Sequence, residues 1–376
     1  MKKIRLLVIA GVFNAEGGGP SPFADTFIER SRKHFDLQAF NGGDPALLDE
    51  AVSLCGSFRA ILWLAHVKDG GYLSRIKEVN KDCLLIQARR NDRKRNSLCE
   101  IILDMDKNGT DLCLIIDHDR EKYDFKLLDT VANLWYEGPD TSEVITRLQW
   151  YIDHVAELKR IKSAPSDFTP SKITIDEDYY QIVRLFGAIL KNVYKTAKSS
   201  ECIMDSGALR SMHGYPSVRT DDAVLVSCRN IDARGITKDD FVPVETRTDV
   251  VSYSGNREPA IDTAVHLQLY KYYQNVKYII HTHCCVEHAP MTSIYVPCGC
   301  IEDVDEINKI YPNRNSCDFA INLLGHGCII LAENLGYFTQ CRLVAKHFPE
   351  KMKKDHLDYM RNWKDAGSAQ DSFAYY

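Results

Sequence analysis

Two histidines stand two residues apart at the end of an apolar run. His281 and His283 close a segment that begins at Val276 and is predicted to be a buried β-strand. Because residues i and i+2 of a strand point to the same face, the two imidazoles are expected to lie side by side. That arrangement is costly in an apolar interior unless each ring has a partner, and one divalent ion satisfies both rings. The pair by itself is as compatible with a structural role as with metal binding.

Two flanking segments favour the metal hypothesis. Upstream, Asp262 and His266 lie four residues apart in a segment with helical periodicity, so they share one face of a helix. Downstream, His326 stands between Gly325 and Gly327 ahead of another apolar run, where glycines let the backbone approach closely. A third imidazole is therefore expected to reach the ion that the first two bind.

The elements that position these residues are predicted to form the second of two domains. The chain has 376 residues, whereas a single core stops growing at about 250–300 residues. The stretch 163–172 contains two prolines and three serines without periodicity, which is typical of a linker. We therefore predict an N-terminal domain over residues 1–162, a linker over 163–172 and a C-terminal domain over 173–376.

The N-terminal domain is predicted to be a flavodoxin-like or Rossmann-like α/β domain with a parallel sheet, because short apolar runs alternate with segments of helical periodicity. Helices are expected over Phe23–His34, over Pro45–Cys55 after an N-cap at Asp44, and over Thr141–Lys162. The apolar runs are Ile4–Ala10, Leu37–Phe40, Ala60–Ala65, Cys83–Ala88 and Leu112–Ile116.

Two segments of the N-terminal domain could form a ligand-binding crevice. The glycine-rich segment Gly11–Pro20 follows the first predicted strand, and Asn41–Asp44 follows the second at the same sheet edge. Neither segment has the dinucleotide-binding or P-loop pattern. The role of this domain is therefore left unassigned.

Composition limits the classes of partner. The chain carries 47 basic and 52 acidic residues, so no nucleic-acid partner is expected. It contains no run of eighteen apolar residues that would span a membrane, and the opening Met1–Ala10 is interpreted as a strand rather than a signal peptide. Thirteen scattered cysteines predict a reducing, cytoplasmic compartment, and Cys298 and Cys300 are interpreted as packing thiols.

Three segments together resemble the class II aldolase/adducin family, in their order, spacing and flanking strands. The resemblance covers about residues 175–345 and leaves the N-terminal domain unexplained. The segments are 258–266, the pair His281 and His283, and 325–327.

The resemblance implies a class II aldolase-like α/β/α fold in which His281, His283 and His326 bind a divalent ion. Zn²⁺ is the metal expected first. It assigns the role of acid and base to Asp262, where the family usually has glutamate. Aspartate is one methylene shorter, so its carboxylate must lie closer to the substrate or act through water. His266 is interpreted as a residue that supports the ligands rather than one that carries protons.

The phosphate-binding segments of the family are altered in this chain. The segment 214–219 resembles the family's turn but has Tyr215 in place of asparagine, and 260–261 is Ala-Ile where the family has two serines. Phosphate binding is expected to be weak unless other donors compensate. The candidate substrate contacts are Ser217, Ser227, Arg229 and Arg257.

The expected function is that of a zinc-dependent lyase. Such an enzyme would cleave a small sugar, polyol or sugar-phosphate derivative by retro-aldol chemistry through a metal-stabilised enediolate. An epimerase or a dehydratase would use the same site, and a non-catalytic adducin-like scaffold is the alternative from another class. The resemblance also implies a homo-oligomer, a cyclic tetramer in the family, in which Tyr375 or Tyr376 reaches a neighbouring site.

Overall fold

The structure is a computed structural model of a mixed α/β protein with two major sheets. It describes residues 3–11, 22–65, 71–80, 82–90, 98–119, 122–161, 163–168, 174–196, 214–221, 223–229, 231–245 and 251–346. The helices in these ranges are α1 (Pro22–Ser31), α2 (Pro45–Leu54), α3 (Tyr72–Val79), α4 (Leu98–Asn108), α5 (Thr141–Val155), α6 (Glu177–Thr196), α7 (Thr263–Tyr272) and α8 (Glu302–Ile310).

The strands fall into a seven-stranded sheet, an eight-stranded sheet and a small two-stranded sheet. Those of the first sheet are β1 (Arg5–Ala10), β2 (Asp36–Asn41), β3 (Ala60–Trp63), β4 (Leu84–Arg90), β5 (Leu112–Asp119), β6 (Lys122–Asp129) and β7 (Leu134–Gly138). Those of the second sheet are β8 (Ser163–Pro165), β9 (Tyr215–Arg219), β10 (Val224–Ser227), β11 (Phe241–Glu245), β12 (Val251–Tyr253), β13 (Tyr278–Thr282), β15 (Phe319–Leu323) and β16 (Gly327–Ala332). The small sheet pairs β14 (Cys285–Val286) with β17 (Leu343–Val344).

The first sheet is mostly parallel. Its order is β2-β1-β3-β4-β5-β6-β7, in which β1 to β5 pair in parallel and the last two strands are antiparallel. The order of the parallel part is typical of doubly wound α/β sheets. Each of the five predicted apolar runs forms one of these parallel strands, whereas β6 and β7 were not predicted.

Alternation along β1 explains how helices cover both faces of the first sheet. Leu6 and Val8 pack on the face that carries α1 and α5, and Leu7 and Ile9 pack on the face that carries α2 and α3. Successive side chains of a strand point to opposite faces, so a strand that is apolar throughout must be buried on both. Helix α2 begins as predicted, since the Asp44 side chain accepts hydrogen bonds from the first turn.

The second sheet places β13 at its centre. Its order is β15-β16-β13-β9-β10-β11-β12-β8, and all pairs are antiparallel except that of β12 with β8. Strand β13 therefore has β9 on one edge and β16 on the other. The residues at the end of β13 are held by hydrogen-bonded neighbours on both sides.

The chain between the two sheets differs from its prediction. Helix α5 ends at Val155 instead of continuing to Lys162, because the following residues bond to the other half of the molecule. The Lys159 backbone N–H donates to Glu302 at 2.8 Å, and the Ile301 N–H donates to the Lys159 carbonyl at 3.1 Å. The first three residues of the predicted linker form β8 and join the second sheet. The domain limits at 162 and 173 stay predictions.

A buried charged group lies close to the junction of the two halves. Asp111 accepts hydrogen bonds from Lys77 at 2.9 Å and from Arg160 at 2.7 Å. Burial acts to raise the pKa of Asp111, but the two cations outweigh it and hold this pKa well below its usual range. Arg160 also forms an isolated β-bridge with Cys300, so this charged group connects to the second half.

Helix length bears on the membrane question. Across the described ranges, no helix is both long enough and apolar enough to cross a membrane.

Candidate metal centre

The structure brings the three predicted histidines together. His281 lies in β13, His283 follows that strand directly, and His326 lies in the turn before β16. The ring centroids are 5.0 Å apart for His281 and His283, 4.7 Å for His281 and His326, and 5.4 Å for His283 and His326. All three residues are buried. One nitrogen from each ring lies within 4.8 Å of the other two, so this buried group can hold a metal ion.

Hydrogen bonding fixes the orientation of the His281 ring. Its Nδ1 lies 3.0 Å from the Cys328 carbonyl oxygen, and a carbonyl only accepts, so Nδ1 carries the proton. The lone pair of Nε2 is then free to bind a cation, as is usual for a histidine ligand. Burial, with the neighbouring His326, lowers the pKa of His281 to about 4, which keeps the ring neutral. Burial also lowers the pKa of His326.

Two glycines make room for the end of β13. Gly214 has φ +82°, and a Cβ atom built there would lie 2.6 Å from Thr282 Cα. On the other side, Gly327 would place a Cβ atom 2.8 Å from His283 Cα. Real Cβ atoms essentially never approach closer than 3.0 Å. The histidine pair therefore depends on glycine at both flanking positions.

Asp262 faces the histidines instead of capping its helix. It stands at the N-cap position of α7, where an aspartate usually accepts hydrogen bonds from the first turn, but it makes no such bond. Its Oδ1 accepts from the Gly299 backbone N–H at 2.6 Å, and its Oδ2 lies 3.7 Å from His281 Nε2. Burial acts to raise the pKa of Asp262, but His281, His326 and the Gly299 N–H outweigh it and lower the pKa.

His266 is buried within α7 and contacts β9. Its Nδ1 lies 2.8 Å from the Ser217 hydroxyl, which also lies 3.0 Å from the Tyr270 hydroxyl. Burial lowers the pKa of His266 to about 3, so the ring is neutral. The supporting role of His266 stays a prediction. These contacts place Ser217, a predicted substrate contact, in the packed layer between β9 and α7.

His326 has two further neighbours that the sequence did not single out. Its Nδ1 lies 3.7 Å from the buried Asp303 side chain, and its Nε2 lies 3.0 Å from the sulfur of Cys298. Burial, with the nearby Asp262 and Glu306, raises the pKa of Asp303 well above its usual range. Cys298 is partly exposed and lies against His326, a contact that the prediction of a packing thiol did not include. The only feature of Cys298 in the sequence was its spacing from Cys300, and this spacing does not indicate a neighbouring histidine.

The donor atoms fit a divalent cation. Asp262 Oδ2 and His281 Nε2 are buried and have no hydrogen-bond partner in the part of the chain that the structure describes. Buried polar atoms are nearly always paired, and a divalent ion bound to His281 Nε2 would also place its positive charge beside Asp262 Oδ2. Three imidazoles form a ligand set that zinc accepts while keeping a position open.

A cavity of about 810 Å³ adjoins the histidines. Its wall includes His283, Cys298 and Tyr215 from the second half of the chain, and Lys107 and Thr130 from the first half. The tyrosine that replaces the family's asparagine therefore lies beside the site. The N-terminal half, whose role the sequence left unassigned, contributes to the same cavity.

Of the four predicted substrate contacts, Arg229 alone is among the residues described as lining this cavity. Its guanidinium lies 3.9 Å from Glu258. Arg257 instead donates to Asp240 at 3.0 Å, away from the cavity wall. Ser227 is fully buried, and its carbonyl accepts the Ala260 N–H at 3.0 Å. Tyr375 and Tyr376 lie outside the described residues.

Comparison with known families confirms the resemblance for part of the chain. Residues 195–313 match the model of the family described as "Class II Aldolase and Adducin N-terminal domain". The match includes Asp262, His281 and His283 and ends before His326. The remaining residues of the chain lie outside this match.

A curated relative is similar over a short stretch. It is the methylthioribulose-1-phosphate dehydratase of Yersinia enterocolitica serotype O:8 / biotype 1B, which is 33% identical over 96 residues. The aligned stretch covers 25% of this chain and 45% of the relative, so the chain spans less than half the length of that protein.

Two solved structures are similar at low scores. An L-fuculose 1-phosphate aldolase gives a TM-score of 0.32 and 17% identity, covering 53% of this chain and 92% of its own. A DNA/pantothenate metabolism flavoprotein from Streptococcus pneumoniae gives a TM-score of 0.33 and 12% identity, covering 41% of this chain and 98% of its own. Scores of this size do not establish a shared fold.

Proposed function

We propose that this protein is a metal-dependent lyase that acts on a small carbohydrate-like substrate. His281, His283 and His326 would hold the ion, with Zn²⁺ the first choice because imidazole ligands suit it. Bound there, the ion would act as a Lewis acid that stabilises the negative charge of an enediolate. Retro-aldol cleavage is the reaction that we put first.

The observation that carries the proposal is the placement of Asp262. Its Oδ2 is buried 3.7 Å from His281 Nε2, although an aspartate at this helix position would ordinarily cap α7. A buried carboxylate beside neutral imidazoles has little structural use, because a single charge is costly in an apolar interior. As a base next to a metal centre it has a chemical use. The structure thus favours catalysis over an adducin-like scaffold.

The chain's own residues can be given separate tasks. The Gly299 N–H holds Oδ1 of Asp262 in place, so Oδ2 is the oxygen that takes and returns the proton. The bond from His281 Nδ1 to Cys328 keeps the ring in one tautomer. Burial of the site excludes water from its inner wall, which protects a reactive carbanion from stray protonation.

Dehydration is the second candidate reaction. It is favoured by the 33% identity to a methylthioribulose-1-phosphate dehydratase over 96 residues. A dehydratase would use the same base to remove a proton beside a carbonyl and would then expel a hydroxyl group. The two reactions differ in the bond that breaks, so their products separate them.

The test is a substrate panel with product analysis. Full-length protein loaded with Zn²⁺ would be incubated with L-fuculose 1-phosphate, with methylthioribulose 1-phosphate and with both sugars lacking phosphate. Mass spectrometry would distinguish loss of one water from cleavage into two carbonyl fragments. We expect turnover of at least one member, and an inactive but metal-loaded protein would favour a binding role instead.

The role of Asp262 is tested by Asp262→Asn, with Asp305→Asn as the control. Asparagine keeps the shape and can still accept from Gly299 but cannot carry the proton, so turnover should fall about 100-fold to 10,000-fold. Asp305 is an exposed carboxylate on α8, and its variant should be fully active. Retained activity in Asp262→Asn, with metal content unchanged, would remove the proton-transfer assignment.

The proposal also covers the fold of the two sheets and the oligomeric state. We propose a flavodoxin-like arrangement for the first sheet and a class II aldolase-like arrangement for the second. We also propose a homo-oligomer, with a tetramer as the first choice. Light scattering on the purified chain would test the assembly, and a monomer at working concentration would argue against it.

A further inference from the structure

The loop that begins at Tyr295 contacts the metal centre through two successive residues. Cys298 places its sulfur 3.0 Å from His326 Nε2. The next residue, Gly299, donates its backbone N–H to Asp262 at 2.6 Å. One donor atom each from Asp262, Cys298 and His326 lies within 4.8 Å of the other two. A thiol therefore lies beside two of the residues of the candidate metal centre.

Independent evidence for a ligand comes from two atoms outside this loop. Asp262 Oδ2 and His281 Nε2 have no hydrogen-bond partner in the described part of the chain, although their side chains are only 3% and 1% exposed. They lie 3.7 Å apart, and a carboxylate oxygen of Asp262 lies within 4.8 Å of the Cys298 sulfur. A cation bound to His281 Nε2 would give that nitrogen a partner and would place a positive charge beside Asp262 Oδ2.

The N-terminal half holds this loop in position. The Tyr295 hydroxyl donates to Asp129 at 2.9 Å, and His154 Nε2 lies 2.6 Å from the Tyr295 carbonyl oxygen. The Tyr295 ring packs edge-on against Trp135 with a centroid distance of 5.0 Å. All these residues are buried. The position of Cys298 is thus set by a rigid contact between the two halves.

We propose that Cys298 supplies a thiolate ligand to the ion that His281, His283 and His326 hold. The inference rests on the metal centre proposed above and adds a fourth protein ligand to it. On binding, the thiol loses its proton to solvent and the sulfur donates an electron pair to the cation. Adjacent donors on tetrahedral zinc lie about 3.5 Å apart. The Cys298 sulfur already lies 3.0 Å from His326 Nε2, but it is not within 4.8 Å of the ligand atoms of all three histidines, so its side chain must shift towards His281 and His283 when the ion binds.

A fourth ligand would change the behaviour of the site. Three nitrogens and one sulfur saturate a tetrahedral ion, which is the ligand set of a closed site. Because Cys298 also lines the cavity, it is the ligand that an incoming substrate oxygen displaces or joins. A thiolate further selects Zn²⁺ and Co²⁺ over Mg²⁺ and Mn²⁺.

The test uses Co²⁺ as the spectroscopic probe in the full chain. A thiolate bound to Co²⁺ gives an intense near-ultraviolet charge-transfer band, whereas imidazole ligands give only the weaker visible bands. We expect both in the unmodified protein. Cys298→Ser should lose the ultraviolet band, keep the visible bands and weaken Zn²⁺ binding about 10-fold or more. Cys300→Ser, two residues away and facing Arg160, is the matched control and should keep both.

The outcomes separate this inference from the proposed function. If the unmodified protein binds Co²⁺ and shows visible bands without the ultraviolet band, the thiolate ligand is wrong and the histidine centre stands. If it binds no Co²⁺, the metal centre itself fails. If the ultraviolet band persists in Cys298→Ser or disappears in Cys300→Ser, the sulfur has been assigned to the wrong residue. The first measurement needs no variant, so a misfolded mutant cannot hide the answer.

Discussion

Replacing Gly214 with alanine should damage the metal centre although no ligand side chain is changed. The built Cβ atom lies 2.6 Å from Thr282 Cα and closer still to the His281 carbonyl oxygen. The His281 carbonyl oxygen lies only 1.9 Å from the built atom, so the two must separate by about 1.1 Å, the difference between 1.9 Å and the 3.0 Å limit. Functional groups have to be held within about 0.5 Å of their working geometry. Metal affinity should fall about 10-fold to 100-fold.

Gly255→Ala is the control, because Gly255 has φ +102° and no atom within 4 Å of a built Cβ. It carries the cost of a left-handed alanine alone, about 1–2 kcal/mol. Gly214→Ala adds overpacking and should lower the free energy of unfolding by about 2–5 kcal/mol. Urea denaturation of the metal-free proteins and a Zn²⁺ titration measure the two effects. Equal stability and equal affinity in both variants would refute the packing account.

Three further predictions concern stability and substrate binding. Asp111→Asn should lower the free energy of unfolding by about 3–5 kcal/mol near neutral pH. Because the folded-state pKa of Asp111 is depressed, its stabilisation is present above about pH 3.9 and is lost as the pH falls through the folded-state value. The difference in stability between the variant and the unmodified protein should therefore narrow in acid denaturation curves. Tyr295→Phe keeps the ring but removes the hydrogen bond to Asp129, so the free energy of unfolding from urea denaturation should fall by about 1–3 kcal/mol. An unchanged free energy of unfolding would contradict the anchoring role of Tyr295. Arg229→Ala should raise the KM of a phosphorylated substrate about 10-fold to 100-fold, whereas Arg257→Ala should leave it unchanged, and equal effects would mean that the cavity wall is assigned wrongly.

Local patterns were enough to predict the parallel strands and the histidine pair. Each apolar run of the N-terminal half forms a strand, because a strand buried on both faces must be apolar throughout. The i and i+2 spacing brought His281 and His283 to one face, since the period of a strand is two residues. His326 was found because glycines on both sides marked a close backbone approach.

Contacts between distant segments could not be predicted in this way. Helix α5 was expected to continue to Lys162, but Lys159 bonds to residues of α8 and of the turn before it, more than a hundred positions later. Cys298 lies beside His326 in a loop that Tyr295 anchors on Asp129. No local periodicity carries such information, since it depends on how the two halves pack. For the same reason, the contribution of the N-terminal half to the cavity could not be predicted from the sequence.

The most direct test of the account is anomalous X-ray scattering at the zinc absorption edge, from crystals of the full chain grown with Zn²⁺. The account predicts one strong peak at about 2.0–2.1 Å from one nitrogen of each of His281, His283 and His326. A peak bound elsewhere, or a ring of any of the three turned away from the ion, would contradict it.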